Sequence, residues 1–218
     1  MTLARRVIGV DESGKGDFFG PLVVAAFLSA DSQVSELKKM GVRDGKLIAE
    51  KKLLALDEEL RSQFVHAVVV TSPEEYNHRY AAIKNLNRLL AEEHVRAMVE
   101  ILSHHRADLI ISDKFGKAEL VEKALRQRKI DVKLVQIVRG ETVPQVAAAS
   151  ILARAAFIRE IDRLSAAVGF DLPRGAGSIV DEAGRKLSCT RPIELFDRIA
   201  KTHFKNYRRI IVPTLTLK

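Results

Sequence analysis

Two adjacent carboxylates, Asp11 and Glu12, end an apolar run that begins at Val7, and a third, Asp113, ends the run Leu109-Ile110-Ile111-Ser112. Asp and Glu are poor strand residues. Concentrated negative charge at the end of a buried strand is costly unless a cation meets it. A fourth acid, Glu141, stands just past the apolar segment 132–138, in Arg139-Gly140-Glu141-Thr142. Residues leaving the strand ends of an α/β sheet converge on one crevice, so Asp11, Glu12, Asp113 and Glu141 can meet despite their separation in sequence. Four hard oxygen donors, with neither cysteine nor clustered histidine among them, suit Mg2+ or Mn2+ and disfavour zinc. Two such ions can activate a water and stabilise the leaving oxygen of a phosphodiester. Each acid also has a structural alternative: Asp11 and Glu12 as turn residues, Asp113 and Glu141 as helix caps.

The first acidic pair runs into Ser13-Gly14-Lys15-Gly16-Asp17-Phe18-Phe19-Gly20-Pro21. Gly14 and Gly16 permit positive φ and a close approach of backbone to another molecule. The stretch from Gly9 to Lys15 also fits G-x-x-x-x-G-K, the front of a phosphate-binding P-loop. Three features oppose that reading. Gly16 stands where the motif needs a hydroxyl, the acids would lie inside a loop meant for a polyanion, and a strand-like run follows where a helix should open.

These residues need a scaffold, and the patterning supplies one. Segments 3–10 and 22–29 read as an antiparallel strand pair joined by the turn 11–21. Helices are expected over 31–40 and 47–63, with a strand over 64–71. Ser72-Pro73-Glu74-Glu75 marks a helix start, and apolar residues recur at helical period from Ile83 to Ser103. A helix over 117–128 and a strand over 132–138 follow Asp113. A long helix over 143–164 carries Ala147-Ala148-Ala149-Ser150, small enough for close backbone packing. A glycine-rich loop with a short helix fills 172–188, and one or two helices close the chain over 192–209. The order predicts one continuous α/β domain, a mixed central sheet flanked by helices, with a C-terminal helical segment over about 190–212.

Composition narrows the partners. Lys and Arg number 36 against 28 Asp and Glu, a net charge of +8 that leans toward polyanions. Basic residues Arg198, Lys201, Lys205 and Arg208 fall at helical spacing, with His203 among them; such a run is most often a solvated basic helix face, and Lys201 and His203 are its candidates for nucleic-acid contact. No apolar run is long enough to span a membrane, and no signal-peptide pattern opens the chain. The single cysteine, Cys189, excludes an internal disulfide framework, suits a reducing cytoplasm, and is expected to be a buried small residue.

Taken together, the motifs identify a family. Residues 11–21 resemble the opening motif of type 2 ribonucleases H, and the ending Asp17-Phe18-Phe19-Gly20-Pro21 is similar to ribonuclease HIII more than HII. Tyr76-Asn77, Lys84-Asn85-Leu86-Asn87, Leu90-Ala91 and His94 resemble the helix region of HIII, and Asp113-Lys114-Phe115 its Asp-Gln-Phe motif. Residues 147–154 match a helix common to both types, while 172–177 and 200–204 again resemble HIII. The resemblance implies an RNase H-like fold and hydrolysis of the RNA strand of RNA/DNA hybrids with divalent metal, leaving 5′-phosphate and 3′-hydroxyl ends. It aligns Asp11, Glu12, Asp113 and Glu141 with the family's acidic quartet. It also aligns Gly14, Lys15 and Gly16 with the turn whose backbone reads the ribose 2′-hydroxyl. Lys46, in Asp44-Gly45-Lys46, matches a phosphate-contact lysine.

The sequence departs from the family pattern in four places. The substrate-binding domain that usually precedes the first catalytic strand in HIII has no counterpart, which implies weaker hybrid binding or compensation by the basic C-terminal helix. Gly45 replaces a serine. The tyrosine by which HII recognises a lone ribonucleotide has no match near Arg174, itself a substrate-contact candidate. Glu141 stands one residue closer to 147–150 than the family spacing. A non-catalytic hybrid-binding module is the alternative that the departures at Gly45 and Glu141 leave open.

Overall fold

The computed structural model describes residues 4–43, 48–114 and 116–211. In chain order the strands are β1 (Arg6–Ser13), β2 (Leu22–Ala30), β3 (Val65–Thr71), β4 (Leu109–Asp113) and β5 (Leu134–Ile137). The helices are α1 (Val34–Met40), α2 (Glu50–Gln63), α3 (Pro73–Ile83), α4 (Leu86–Leu102), α5 (Ala118–Gln127), α6 (Pro144–Val168), α7 (Ser178–Ser188), α8 (Leu195–Ile199) and α9 (Lys205–Ile211). The strands form one sheet in the order β3-β2-β1-β4-β5. β1 pairs antiparallel with β2 and parallel with β4, and β4 pairs parallel with β5. This is the expected mixed sheet with helices around it.

Several boundaries differ from the sequence reading, each for a local reason. β1 does not stop before the acids: Asp11, Glu12 and Ser13 remain paired with Ala25, Val24 and Val23 of β2, so the carboxylates lie in the strand and the turn starts at Gly14. The helical pattern from Ile83 to Ser103 is interrupted at its start. Lys84 takes a left-handed conformation (φ 51°) that ends α3, and the Asn85 side chain accepts from the Arg88 amide to begin α4. Ser72 caps α3 as expected, accepting from the Glu75 amide with Pro73 in the first turn. Cys189 is exposed just past the end of α7, not buried. Residues 44–46, including Lys46, lie outside the described residues.

The described chain gathers into two compact units, the first made of Met1–Ser13, Val23–Val69 and Asn85–Ala156 and the second of Gly14–Leu22, Val70–Lys84 and Phe157–Lys218. In the first, alternate residues of the central strands (Ile8, Val10, Val24, Ala26, Leu28, Ile110) pack against Ala91, Val95, Met98 and Ile101 of α4 and Val121 and Leu125 of α5. The opposite face of β1 meets the start of α6. That contact is very close: a Cβ on Gly9 would sit 2.1 Å from the Gln145 carbonyl carbon and 2.3 Å from the Val146 nitrogen. The second unit has its own core, where Phe18 and Phe19 meet edge-to-face at 4.8 Å and pack with Ile161, Leu164, Phe196, Ile199 and Ile210.

Because the obstacle at Gly9 is helix backbone, which cannot swing aside, Gly9→Ala is expected to destabilise the fold by about 3 kcal/mol or more. Gly16→Ala, whose Cβ would meet nothing within 4 Å, is the control and should leave the urea midpoint unchanged. Equal midpoints for Gly9→Ala and the wild type would contradict the packing described.

Candidate active site

The parallel register of β1 and β4 pairs Val10 with Ser112. The next position on each strand carries an acid, Asp11 and Asp113. Partners across a sheet share a face, and neighbouring strands run about 4.8 Å apart, so these two carboxylates rise side by side toward the α6 face. Asp11 is half-buried, and its Oδ1 accepts from the Glu12 amide at 2.8 Å. Burial first, then the charge of Glu12, pushes its pKa up to about 7, while a hydrogen bond from Ser150 of α6 and the Glu12 amide pull it back.

Glu12 alternates to the other face. Its Oε2 lies 3.1 Å from Nε2 of His94, an α4 histidine whose side chain is fully buried. Asp113 is bound to the next turn of chain: its Oδ1 accepts from the Gly140 amide at 2.9 Å. A Cβ on Gly140 would fall 2.9 Å from the Asp113 Cα, so only glycine allows this approach. Glu141 follows in the same short 3-10 turn, Gly140–Thr142, and is half-buried. Asp11 and Asp113 therefore share one face of adjacent strands, Glu12 takes the other, and Glu141 stands in the turn whose Gly140 contacts Asp113. Among the described residues, no three His, Cys, Asp or Glu side chains are gathered closely enough to hold a metal ion. Strand alternation and the Gly140 contact account for that: Glu12 is turned to His94 and Asp113 to an amide.

The second unit carries the glycine turn. Gly14 has φ +84°, and a Cβ there would lie 2.2 Å from the Pro21 carbonyl oxygen, so the turn folds back on itself at a glycine-only position. Asp17 Oδ1 accepts from the Gly175 amide at 2.6 Å, and Phe18 donates to the Gly175 carbonyl at 2.8 Å. Arg174, the residue before Gly175, is thereby anchored next to the turn that holds Gly14, Lys15 and Gly16.

Two expected substrate contacts are corrected. Lys201 is not on a solvated helix face: it lies between α8 and α9 and is 0% exposed. Its Nζ donates to the carbonyls of Gly20 at 2.6 Å and Asp17 at 2.9 Å. The helical spacing of Arg198, Lys201, Lys205 and Arg208 fails because 200–204 is not helical. His203 stacks on the Tyr80 ring at a centroid distance of 3.9 Å. Burial, and next the charge of Lys201, lowers its pKa to about 4, so it is neutral at physiological pH and offers no cation to a phosphate. Lys205 and Arg208 stay exposed, while Arg209 donates to Asp181.

The patterning gave no role to Ser150, and it gave His94 only a family resemblance. One signal was present: Leu90, His94 and Met98 follow at four-residue spacing on the apolar face of α4, where an imidazole needs a polar partner.

The fold is that of the type 2 ribonucleases H, and the sequence agrees: the family profile described as Ribonuclease HII matches residues 8–207. The chain belongs to that family. Within it, the chain is similar to proteins named ribonuclease HIII. It is 41% identical to that of Chlamydia pneumoniae over 206 residues, 93% of this chain and 69% of the relative. It is 38% identical to that of Protochlamydia amoebophila over 204 residues, 94% of this chain and 68% of the relative. Among solved structures, Bst-RNase HIII in complex with Mn2+ superposes with a TM-score of 0.88 at 32% identity, covering 95% of this chain and 69% of that one. The ribonuclease H2 from Pyrococcus horikoshii shares the fold, with a TM-score of 0.79 at 24% identity over 94% of this chain and 96% of that one.

The imidazole of His94 serves a buried carboxylate, so His94→Leu is expected to destabilise the protein by about 2–3 kcal/mol. His94→Gln, which retains a donor, should recover part of that loss in urea titrations. A His94→Leu midpoint equal to the wild type would show that the Glu12 contact carries no weight.

Proposed function

We propose that this chain is an endoribonuclease that hydrolyses the RNA strand of RNA/DNA hybrids, leaving 5′-phosphate and 3′-hydroxyl ends. The observation that carries the reading is the β1–β4 register, which sets Asp11 and Asp113 side by side at the ends of adjacent strands. Family membership and likeness to a Mn2+-bound ribonuclease HIII support it.

The donor chemistry suits a pair of divalent ions. Every donor is a carboxylate oxygen, which suits Mg2+ or Mn2+. Burial, and next the Glu12 charge, raises the proton affinity of Asp11, and a divalent cation bound there would favour its ionised form. Asp11 and Asp113 would hold the ions, with Glu12 and Glu141 as supporting ligands. When bound, the ions supply an activated water and charge stabilisation for the leaving oxygen. The chain's residues do the rest. His94 fixes Glu12, and the Gly140 amide fixes Asp113. The backbone of Gly14, Lys15 and Gly16 meets the ribose 2′-hydroxyl, the group that separates RNA from DNA. Lys15 and Arg174 contact phosphates, as does Lys46 on the family alignment. No helix among the described residues is long and apolar enough to cross a membrane. A cytoplasmic site of action accords with that and with the lone cysteine.

Incubation with a labelled RNA/DNA hybrid and Mg2+ or Mn2+ should give cleavage that EDTA abolishes. A shifted but intact band would instead mark a hybrid-binding module. Asp11→Asn should abolish cleavage while the protein still folds and binds hybrid, and retained turnover would overturn the assignment.

The same variant tests the electrostatics. The folded state holds the Asp11 proton more tightly than the unfolded chain, so ionised Asp11 costs stability. That cost grows as pH rises from about 4 toward 7 and is complete above it. In EDTA, Asp11→Asn should therefore melt roughly 5 °C above the wild type at pH 8, with little difference near pH 4. Mn2+ should raise the melting temperature of the wild type and not of the variant.

A further inference from the structure

Lys201 is a buried ammonium whose hydrogen bonds go to backbone. Lysine is almost never fully buried unless paired, and removing its charge from water is costly. Here the nearest acid is turned elsewhere, since the Asp17 carboxylate accepts from Gly175. Nζ instead reaches the Asp17 and Gly20 carbonyls, with the Tyr76 ring 5.7 Å away. Burial accordingly lowers the Lys201 pKa to about 7, with the Asp17 charge opposing the shift.

The backbone around it is tied to the same turn. The Lys201 amide donates to the Phe18 carbonyl, and the Gly20 amide donates to Ile199, each at 2.8 Å. The segment carrying Lys201 is in turn held by Asn77 of α3, whose Nδ2 donates to the Ala200 carbonyl and whose Oδ1 accepts from the Thr202 amide. Two hydrogen bonds from one Nζ, at either end of Phe18-Phe19, fix the plane of peptides that directly follow Gly14, Lys15 and Gly16.

We propose that Lys201 is a positioning residue for the substrate-reading turn: by gripping the Asp17 and Gly20 carbonyls from below, it holds the Gly14-Lys15-Gly16 backbone in the shape that meets the RNA strand. The inference rests on the nuclease reading above and assigns one determinant of its preference for RNA.

The test compares Lys201→Met, of similar length and without donors, with the wild type in steady-state cleavage of an RNA/DNA hybrid in Mg2+. A second measurement, in the Asp11→Asn background, is affinity for that hybrid against a DNA/DNA duplex of the same sequence. The expected result is a KM about tenfold higher with kcat changed less than about threefold, and a hybrid preference reduced by a similar factor. A merely structural role would lower the folded, active fraction, hence apparent kcat, and leave both KM and preference unmoved. If Lys201→Met does not fold, the same comparison is read on Lys201→Gln, whose amide NH2 still donates but on a shorter side chain, and which should give an intermediate KM. Folded variants with wild-type KM and preference overturn the proposal. A wild type that cleaves no hybrid in either metal overturns the nuclease reading instead, so the two failures are distinguishable.

Discussion

The register between β1 and β4 is the constraint on which the site depends. Strand side chains alternate, so a slip of one residue would send Asp113 to the α4 face while Asp11 stayed on the α6 face. The register is protected by what lies on each side. Ile8, Val10 and Ile110 must all face α4 and α5 to be buried, and Gly9 must face α6, because no side chain fits there. The placement of two acids is therefore fixed by apolar and glycine neighbours that carry no chemistry.

Support from outside the strands is equally specific. Ser150 reaches Asp11, His94 reaches Glu12, and the Gly140 amide reaches Asp113. Each of these three acids has a different helper from a different part of the chain. In the second unit the same economy appears with the opposite charge: a buried ammonium organises carbonyl oxygens beneath a glycine turn. Net positive charge at the surface does not predict this, since the lysine concerned never reaches solvent.

Much of this architecture was legible in the sequence, and the gaps have physical causes. The strand pair, the cap at Ser72, the close-packing alanines before Ser150 and the strand ending at Asp113 all follow from period, propensity and small-residue spacing. The extension of β1 through Ser13 was not legible, because acids and serine read as turn residues until β2 pairs with them. The break at Lys84 depends on a left-handed residue that is not glycine, which composition does not announce. Lys201 and His203 read as a solvated basic face because helical spacing was assumed across 200–204, and Asn77 replaces helix there with a tethered loop. Cys189 looked buried from its residue type alone.

Asp11 and Glu12 are neighbours in sequence, yet the pleat makes them dependants of separate helices, α6 for the first and α4 for the second. Change in the lining of α4 reaches Glu12 by contact and Asp11 only through charge, whereas change in α6 reaches Asp11 directly through Ser150. Two adjoining letters of the chain thus take their packing from different helices, while the Glu12 amide and charge keep them electrically joined.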